Sequence, residues 1–351
     1  MNKIELSALV SQGEVVMGIG CDAMDLAGAN LSGGVFEKVS FKNANLQGAI
    51  IDESLFMHCD FSGANLSGAR LNLTNFLNGQ LLGTKFCDAQ LTITGFVDCD
   101  LTDADFSRAD MMVAKLVSCN LQRALFSEAD MDRTTVLKSS LPGAVFAKTK
   151  MTQTVLLKAD LSSADFSGAV CRNPIFLNSN LSGQKLSGLH LHAAQFTGAD
   201  LTHVDLTGAD LRQCNFKDAN LSGAVMSGSN LSNALFPNAN LSQAVLTGSA
   251  LVQAILTETN LSGADLSGCD LQQAQFKKAV CVGTRFAGAD LTYCDFSHAD
   301  LTRADFSNAK LFRAVLHRAI ETGAVWLGAS RALALETDDD LAQAEDWGRV
   351  T

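Results

Sequence analysis

From Leu26 to Leu316 every fifth residue is Leu, Phe, Ile, Val, Met or Cys, through 59 pentads with nothing inserted and nothing deleted. These centres fall at positions ending in 1 and 6. Two residues before each centre the side chain is almost always small, usually alanine (Ala29, Ala44, Ala104, Ala199), with Thr, Ser, Gly or Cys as substitutes. Asp or Asn lies between the two, and Ser or Thr and often Gly follow the centre. An α-helix cannot carry this pattern, because residues five apart drift around its axis and would place apolar groups on every face. Centre and small residue must instead face one narrow interior. The residues after the centre tolerate turns, so each pentad reads as a short extended side ending in a corner.

The phenylalanines set how many sides close a coil. Nineteen of the 20 occupy centres, and Phe176, Phe196, Phe216 and Phe236 alternate with Leu186, Leu206 and Met226, so a residue type returns every 20 positions. Phe36, Phe56, Phe76 and Phe96 repeat that spacing. Four pentads therefore make one coil, and about 15 coils at about 4.8 Å each would extend on the order of 70 Å. A length of 351 residues would ordinarily mean two or three domains, but an unbroken repeat overrides that expectation. The same template explains why there are 28 Gly but only 3 Pro, and 20 Phe but 1 Tyr.

Tandem A(D/N)LXX pentads, as in Ala-Asp-Leu at 199–201 and Ala-Asn-Leu at 219–221, resemble those of pentapeptide-repeat proteins over about residues 16–320. The resemblance implies an all-β fold, a right-handed quadrilateral β-helix of about 15 coils of 20 residues. It implies a fold and not a function. The expected organisation is an N-terminal cap at 1–15, the solenoid at 16–320, and a C-terminal cap with an acidic tail at 321–351. Pro174, Gln184 and Leu189 replace the small inward residue, which predicts a bulge or bend in the wall between about 171 and 190. Residues 131–159 are rich in Thr and Lys yet keep their centres.

Open solenoid ends expose unpaired strand groups and need covers. Ile4 to Val10 can form a short helix with Asn2 as N-cap and Gly13 as its stop. Beyond Leu316 the frame meets Glu321 and fails, while Ile320, Val325, Trp326 and Leu327 supply an apolar cluster that lids the last coil or, as the second choice, forms a dimer contact. Ser330 to Trp347 either adds a helix starting near Asp338 to Asp340 or stays a loose acidic tail.

No signal-peptide pattern and no run of about 18 apolar residues is found, so a cytoplasmic protein without membrane insertion is expected, with export by a specialised system left open. Of the net charge of −11, seven acids against two arginines after residue 320 contribute −5, leaving a mildly acidic body. Cys59, Cys99, Cys119, Cys214, Cys269 and Cys294 take small inward positions, Cys21, Cys171 and Cys281 are centres, and only Cys87 should point outward. They read as reduced core filler, not as metal ligands or disulfides. The six histidines lie outside the inward positions and are expected to face solvent; His190 and His192 flank Leu191 without a third ligand, so no metal is expected. Asp residues one coil apart, such as Asp270 and Asp290, are what the template demands. A convex surface lacks the pocket that paired-carboxylate chemistry needs, so neither an enzyme nor a cofactor is expected.

The basic residues Arg133, Lys138, Lys148, Lys150 and Lys158 fall in the irregular segment and form the first candidate docking zone for a protein. They spread around the coil without aromatic neighbours, so no direct nucleic-acid binding is expected. The leading functional expectation is a non-catalytic interaction scaffold, either a monomer or a homodimer joined at its C-terminal ends. The short helix, Gly and following pentads also resemble pentapeptide-repeat proteins that accompany type VI secretion loci, which implies an accessory or adaptor role. Two alternatives come from other members of the family. One is imitation of duplex DNA to bind gyrase and protect it from quinolones. The other is a secreted effector acting through the acidic tail.

Overall fold

The computed structural model describes residues 2–347, and the chain folds as two compact units, Met1–Asn180 and Leu181–Thr351. Both are parallel β-solenoids built from the same pentad. The centre is buried and the residue two places before it packs inward beside it. The carbonyl of the centre accepts the N–H of the third residue after it, as in Phe41 to Ala44 at 3.0 Å. The second residue after the centre is left-handed whether it is Gly28 (φ +63°) or Asn43 (φ +54°). A positive φ there makes the corner a type II turn. The Asp or Asn before the centre adds a second local bond, since its side-chain oxygen accepts the N–H two residues on, as in Asp60 to Ser62 at 2.9 Å and Asn65 to Ser67 at 3.1 Å. Short polar side chains that fold back on the backbone in this way favour turns.

In the first unit, helix α1 (Lys3–Ser11) precedes the coils. Asn2 Oδ1 accepts from the amides of Ile4 and Glu5, while the Glu5 carboxylate accepts the Asn2 N–H, a reciprocal cap. Leu6 and Val10 are buried, and Lys3 Nζ donates to the carbonyl of Ala27, so α1 covers the first coil. Gly13, at φ +76°, turns the chain out of the helix. Ten short strands follow: β1 (Val15–Met17), β2 (Val35–Glu37), β3 (Leu55–Met57), β4 (Asn75–Leu77), β5 (Gly95–Val97), β6 (Lys115–Val117), β7 (Thr135–Leu137), β8 (Lys150–Thr152), β9 (Val155–Leu157) and β10 (Val170–Arg172). Strands β1 to β7 and then β9 form one parallel sheet with a register shift of 20 residues at every step. Single bridges at Gly20↔Ser40, Asp25↔Asn45 and Asn30↔Ile50 carry the same shift on the other three sides, so the coil has four sides. Strands β8 and β10 pair with each other instead, and the wall changes form from Lys150 onward.

The second unit repeats the 20-residue shift through bridges from Lys185↔Asp205 to Asp305↔Val325. Pairing runs past residue 320. Ile320 bridges Asp300, and Leu335 bridges Val315, so one more coil is wound than the frame suggested. Glu321 can occupy a centre position there because Arg331 holds its carboxylate at 3.0 and 3.1 Å. A short 3-10 turn (Arg331–Leu333) and helix α2 (Asp339–Trp347) follow.

The interior is a set of ring columns. Phe36, Phe56, Phe76 and Phe96 stack with centroids 4.7–5.0 Å apart, and Phe86, Phe106, Phe126, Phe146 and Phe166 form a second column at 4.9–5.2 Å. The columns meet edge to face, as in Phe56 with Phe61 at 5.0 Å. Polar inward residues are satisfied by the coil before: Thr84 and Thr284 hydroxyls donate to the carbonyls of Phe61 and Leu261 at 2.9 and 2.8 Å, and the Cys294 thiol to Leu271 at 2.9 Å.

Candidate functional site

Every inward position is occupied by core packing, so function has to be sought among outward side chains. Several outward cations pair with an acid one coil earlier, as Arg108 does with Asp88 through two bonds of 2.8 Å and Lys310 with Asp290 at 3.2 Å. In the irregular segment of the first unit the pairing is uneven. Arg133 turns to its neighbour Asp132 at 3.0 Å, Lys148 reaches Glu128 at 3.8 Å, and Lys150, at the start of β8, reaches Asp130 at 3.6 Å. Lys138 and Lys158 are exposed and have no ion-pair partner among the described residues. They occupy equivalent left-handed corners one coil apart, at φ +52° and +54°. The bond from the Lys138 amide to the Leu157 carbonyl, at 3.4 Å, is long beside the 2.9 Å of the equivalent bonds from Lys38 and His58.

At the C-terminal end the apolar cluster divides. Trp326 continues a ring column, stacked on Phe306 at 4.2 Å and 5°, with the Arg331 guanidinium 5.0 Å from its centroid on the outer side. Ile320, Val325 and Leu327 point outward and are exposed.

His58, His190 and His203 are exposed as expected, whereas His298 and His317 depart from expectation. His317 is only 2% exposed, and His298 is half-buried, because α2 folds over both. His298 Nε2 lies 3.1 Å and His317 Nε2 lies 3.4 Å from the two oxygens of Glu345. Two imidazoles and a carboxylate within 4.8 Å of one another resemble a ligand set. The protons argue otherwise. His317 Nδ1 accepts the Asp338 N–H at 3.2 Å, so the ring's proton is on Nε2 and is donated to Glu345. A metal at Nε2 would require that proton on Nδ1, facing another N–H. Arg318 Nε also stands 3.3 Å from the same carboxylate. Burial pushes the Glu345 carboxyl up, but the bonds from His298 and His317 outweigh it and hold it below the usual glutamate range. The cluster is a clip that fastens α2 to the last coils.

The cysteines lie as the repeat frame places them. Burial pushes the thiols of Cys171, Cys214 and Cys269 up to about 12, which keeps them protonated. Cys119 is driven higher by its contact with the Cys99 sulfur and by burial. Cys87 is the one outside the core; burial and its hydrogen bond to Asp105 at 3.1 Å raise it to about 11. Asp270 and Asp290 each accept a backbone N–H two residues on, from Gln272 and Thr292, which accounts for the carboxylate column.

A model of the pentapeptide repeat region matches residues 29–106 and 189–266, and one for eight copies of the pentapeptide repeat matches 96–133, 139–170 and 279–318. The chain belongs to the pentapeptide-repeat family. Among solved structures, this pentapeptide-repeat protein is similar to HetL, a pentapeptide-repeat protein involved in regulating heterocyst differentiation in the cyanobacterium Nostoc. Identity is 24% over 84% of this chain and 90% of HetL, with a TM-score of 0.25. It is also similar to full-length QnrB1, a plasmid-mediated fluoroquinolone resistance protein, at 22% identity over 62% of this chain and 92% of QnrB1, with a TM-score of 0.29. A third similar structure is a pentapeptide-repeat protein of the Arabidopsis thaliana thylakoid lumen, at 26% identity over 31% of this chain and 66% of that one, with a TM-score of 0.19. No curated protein matches the chain. No helix among the described residues is long and apolar enough to cross a membrane.

Proposed function

We propose that this pentapeptide-repeat protein is a non-catalytic, cytoplasmic protein–protein interaction scaffold whose partner docks an acidic face against the segment carrying Lys138 and Lys158. The observation that carries the reading is the unpaired lysine column, set where the wall changes form and flanked by Arg133, Lys148 and Lys150, which already have carboxylate partners. Exposed cations without local partners gain more from an incoming carboxylate than cations that must first break a pair. At the C-terminal end, Trp326 serves as the lid and the exposed Ile320, Val325 and Leu327 remain available to a second copy of the chain.

The test is affinity purification after mild crosslinking from the native host, comparing the wild type with the K138E/K158E variant. A partner recovered with the wild type and lost with the charge reversal is the expected result. Equal recovery with both proteins refutes the lysine site, and recovery of no specific partner by either refutes the scaffold. The identity of the partner then fixes the role. A type VI secretion component makes the protein an adaptor of that system, whereas gyrase or topoisomerase IV replaces that reading with DNA mimicry.

A further inference from the structure

On three faces of the first unit the position after the centre is mostly polar, as at Ser62, Ser67, Ser107 and Ser127. On the face formed by the long sheet it is apolar without a break. Strand register places Met57, Leu77, Val97, Val117, Leu137 and Leu157 side by side in successive coils. Leu177 continues the column, since its carbonyl accepts the Lys158 N–H at 3.0 Å. Each of these residues follows a buried centre, points outward and is half-buried. The same count of 20 gives Thr197, Lys217, Pro237, Thr257, Lys277 and Ser297 in the second unit, so the repeat does not itself demand apolar residues there. At the corners leading into β4 and β5, Leu73 and Ile93 are 47% and 48% exposed and left-handed, at φ +61° and +60°, where Gly or Asn sits with less strain. A contiguous exposed apolar surface of this kind marks an interaction site.

Charge is uneven along the column. The positions bordering Met57 to Val97 include Glu53, His58 and Asp98, whereas those bordering Val117 to Leu177 include Lys115, Arg133, Lys138 and Lys158 and no acid. Arg133 is held by Asp132, but the three lysines are exposed and have no ion-pair partner among the described residues. Backbone groups on this face are already paired from coil to coil, so a partner cannot add a strand and has to engage side chains. Coils repeat at about 4.8 Å; a helix repeats its stripe every turn, about 5.4 Å, whereas an extended segment spaces same-face side chains about 6.6 Å apart. A helix therefore keeps step with the column and a strand does not. Six steps of the column span about 29 Å, the length of about 19 helical residues. A strip about 29 Å by about 10 Å is the footprint of one helix, but at on the order of 300 Å² it falls well short of the roughly 800 Å² per partner that a stable dimer buries. We propose that this face binds an acidic amphipathic helix of a protein partner, its apolar stripe seated on the column and its carboxylates meeting Lys115, Lys138 and Lys158. The inference rests on the lysine docking reading above and adds the apolar contact and the form of the partner.

The probe is a fluorescein-labelled peptide of about 19 residues with leucines three and four positions apart and Glu beside them; a scrambled peptide of the same composition is its counterpart. Fluorescence anisotropy with the full chain should show binding of the amphipathic peptide that weakens with salt, and binding of the scrambled one at least about tenfold weaker. L77Q/L137Q, which keeps the charge and removes two apolar contacts, should weaken binding about tenfold, and K138Q/K158Q about three- to tenfold. K217Q/K277Q, in the second unit, should leave it unchanged, and circular dichroism confirms that each variant is folded. Equal binding of the two peptides, or binding indifferent to L77Q/L137Q, overturns the helix and leaves the lysine reading standing. Binding lost with L77Q/L137Q but not with K138Q/K158Q refutes the acidic partner and the lysine site together. Binding of neither peptide, or equal weakening by K217Q/K277Q, overturns the proposal. So does a dimer in sedimentation that L77Q/L137Q dissolves, or phosphatidylserine vesicles that sediment the wild type and not L77Q/L137Q, because a second copy or a membrane would then cover the face.

Discussion

Replacing Phe76 by alanine tests whether the ring columns carry the stability of the first unit. Phe76 is 1% exposed and sits between Phe56 and Phe96, 5.0 Å from each, with the edges of Phe61 and Phe86 at 5.5 and 6.4 Å. Truncating a buried Phe costs about 3–5 kcal/mol, and the cost rises with the cavity that remains. Here little collapse is open to the neighbours, because Phe56 and Phe96 are each held by backbone pairing of their own strands, β3 and β5, in fixed register with β4. The loss should therefore fall near the upper end, about 4–5 kcal/mol. Phe76→Leu is the control: Leu116 and Leu156 occupy equivalent centres, so leucine fits that side of the coil. It should cost about 1–1.5 kcal/mol. Guanidinium unfolding followed by circular dichroism measures both, with hydrogen exchange at β3 to β5 locating the effect, since repeat units are stabilised by their nearest neighbours. If alanine costs no more than leucine, ring stacking is not what holds these coils.

Other outcomes follow from the site chemistry. With its thiol raised to about 11, Cys87 should be alkylated far more slowly than an ordinary exposed thiol near about pH 8.5, on the order of 100-fold, and Asp105→Asn should speed the reaction; the rate of a free cysteine peptide would contradict this. Glu345→Ala leaves the buried His317 N–H without its acceptor, a loss of about 1–3 kcal/mol, and hydrogen exchange should show α2 released while the coils stay protected. Because docking holds the Glu345 carboxyl low, its contribution is complete above the usual glutamate range and is lost as pH falls below it, so acidification should also free α2 in the wild type; exchange at residues 341–347 that ignores both changes would remove the clip.

Much of the architecture is legible in the pentad because each structural requirement recurs at one position. The inward pair, the Asx turn before the centre and the left-handed corner after it are local, and each is repeated until chance is excluded. The lysine segment was visible for the same reason, as a departure from a regular background. The pairs Lys148–Glu128 and Lys150–Asp130 follow from the 20-residue register, whereas the turn of Arg133 to its neighbour Asp132 does not.

By itself the sequence determined the four-sided coil, the 20-residue register, the ring columns, the helix capped by Asn2 and the family, since all of these depend on the period or on neighbours within a few residues. Tertiary structure decided the C-terminal end. His317 is buried, although its position in the pentad faces outward, because Glu345, 28 residues on, and the Asp338 amide close over it. Glu321 holds a centre only because Arg331 neutralises it. Contacts of this kind occur once, between residues that no period relates, and chain folding alone brings them together.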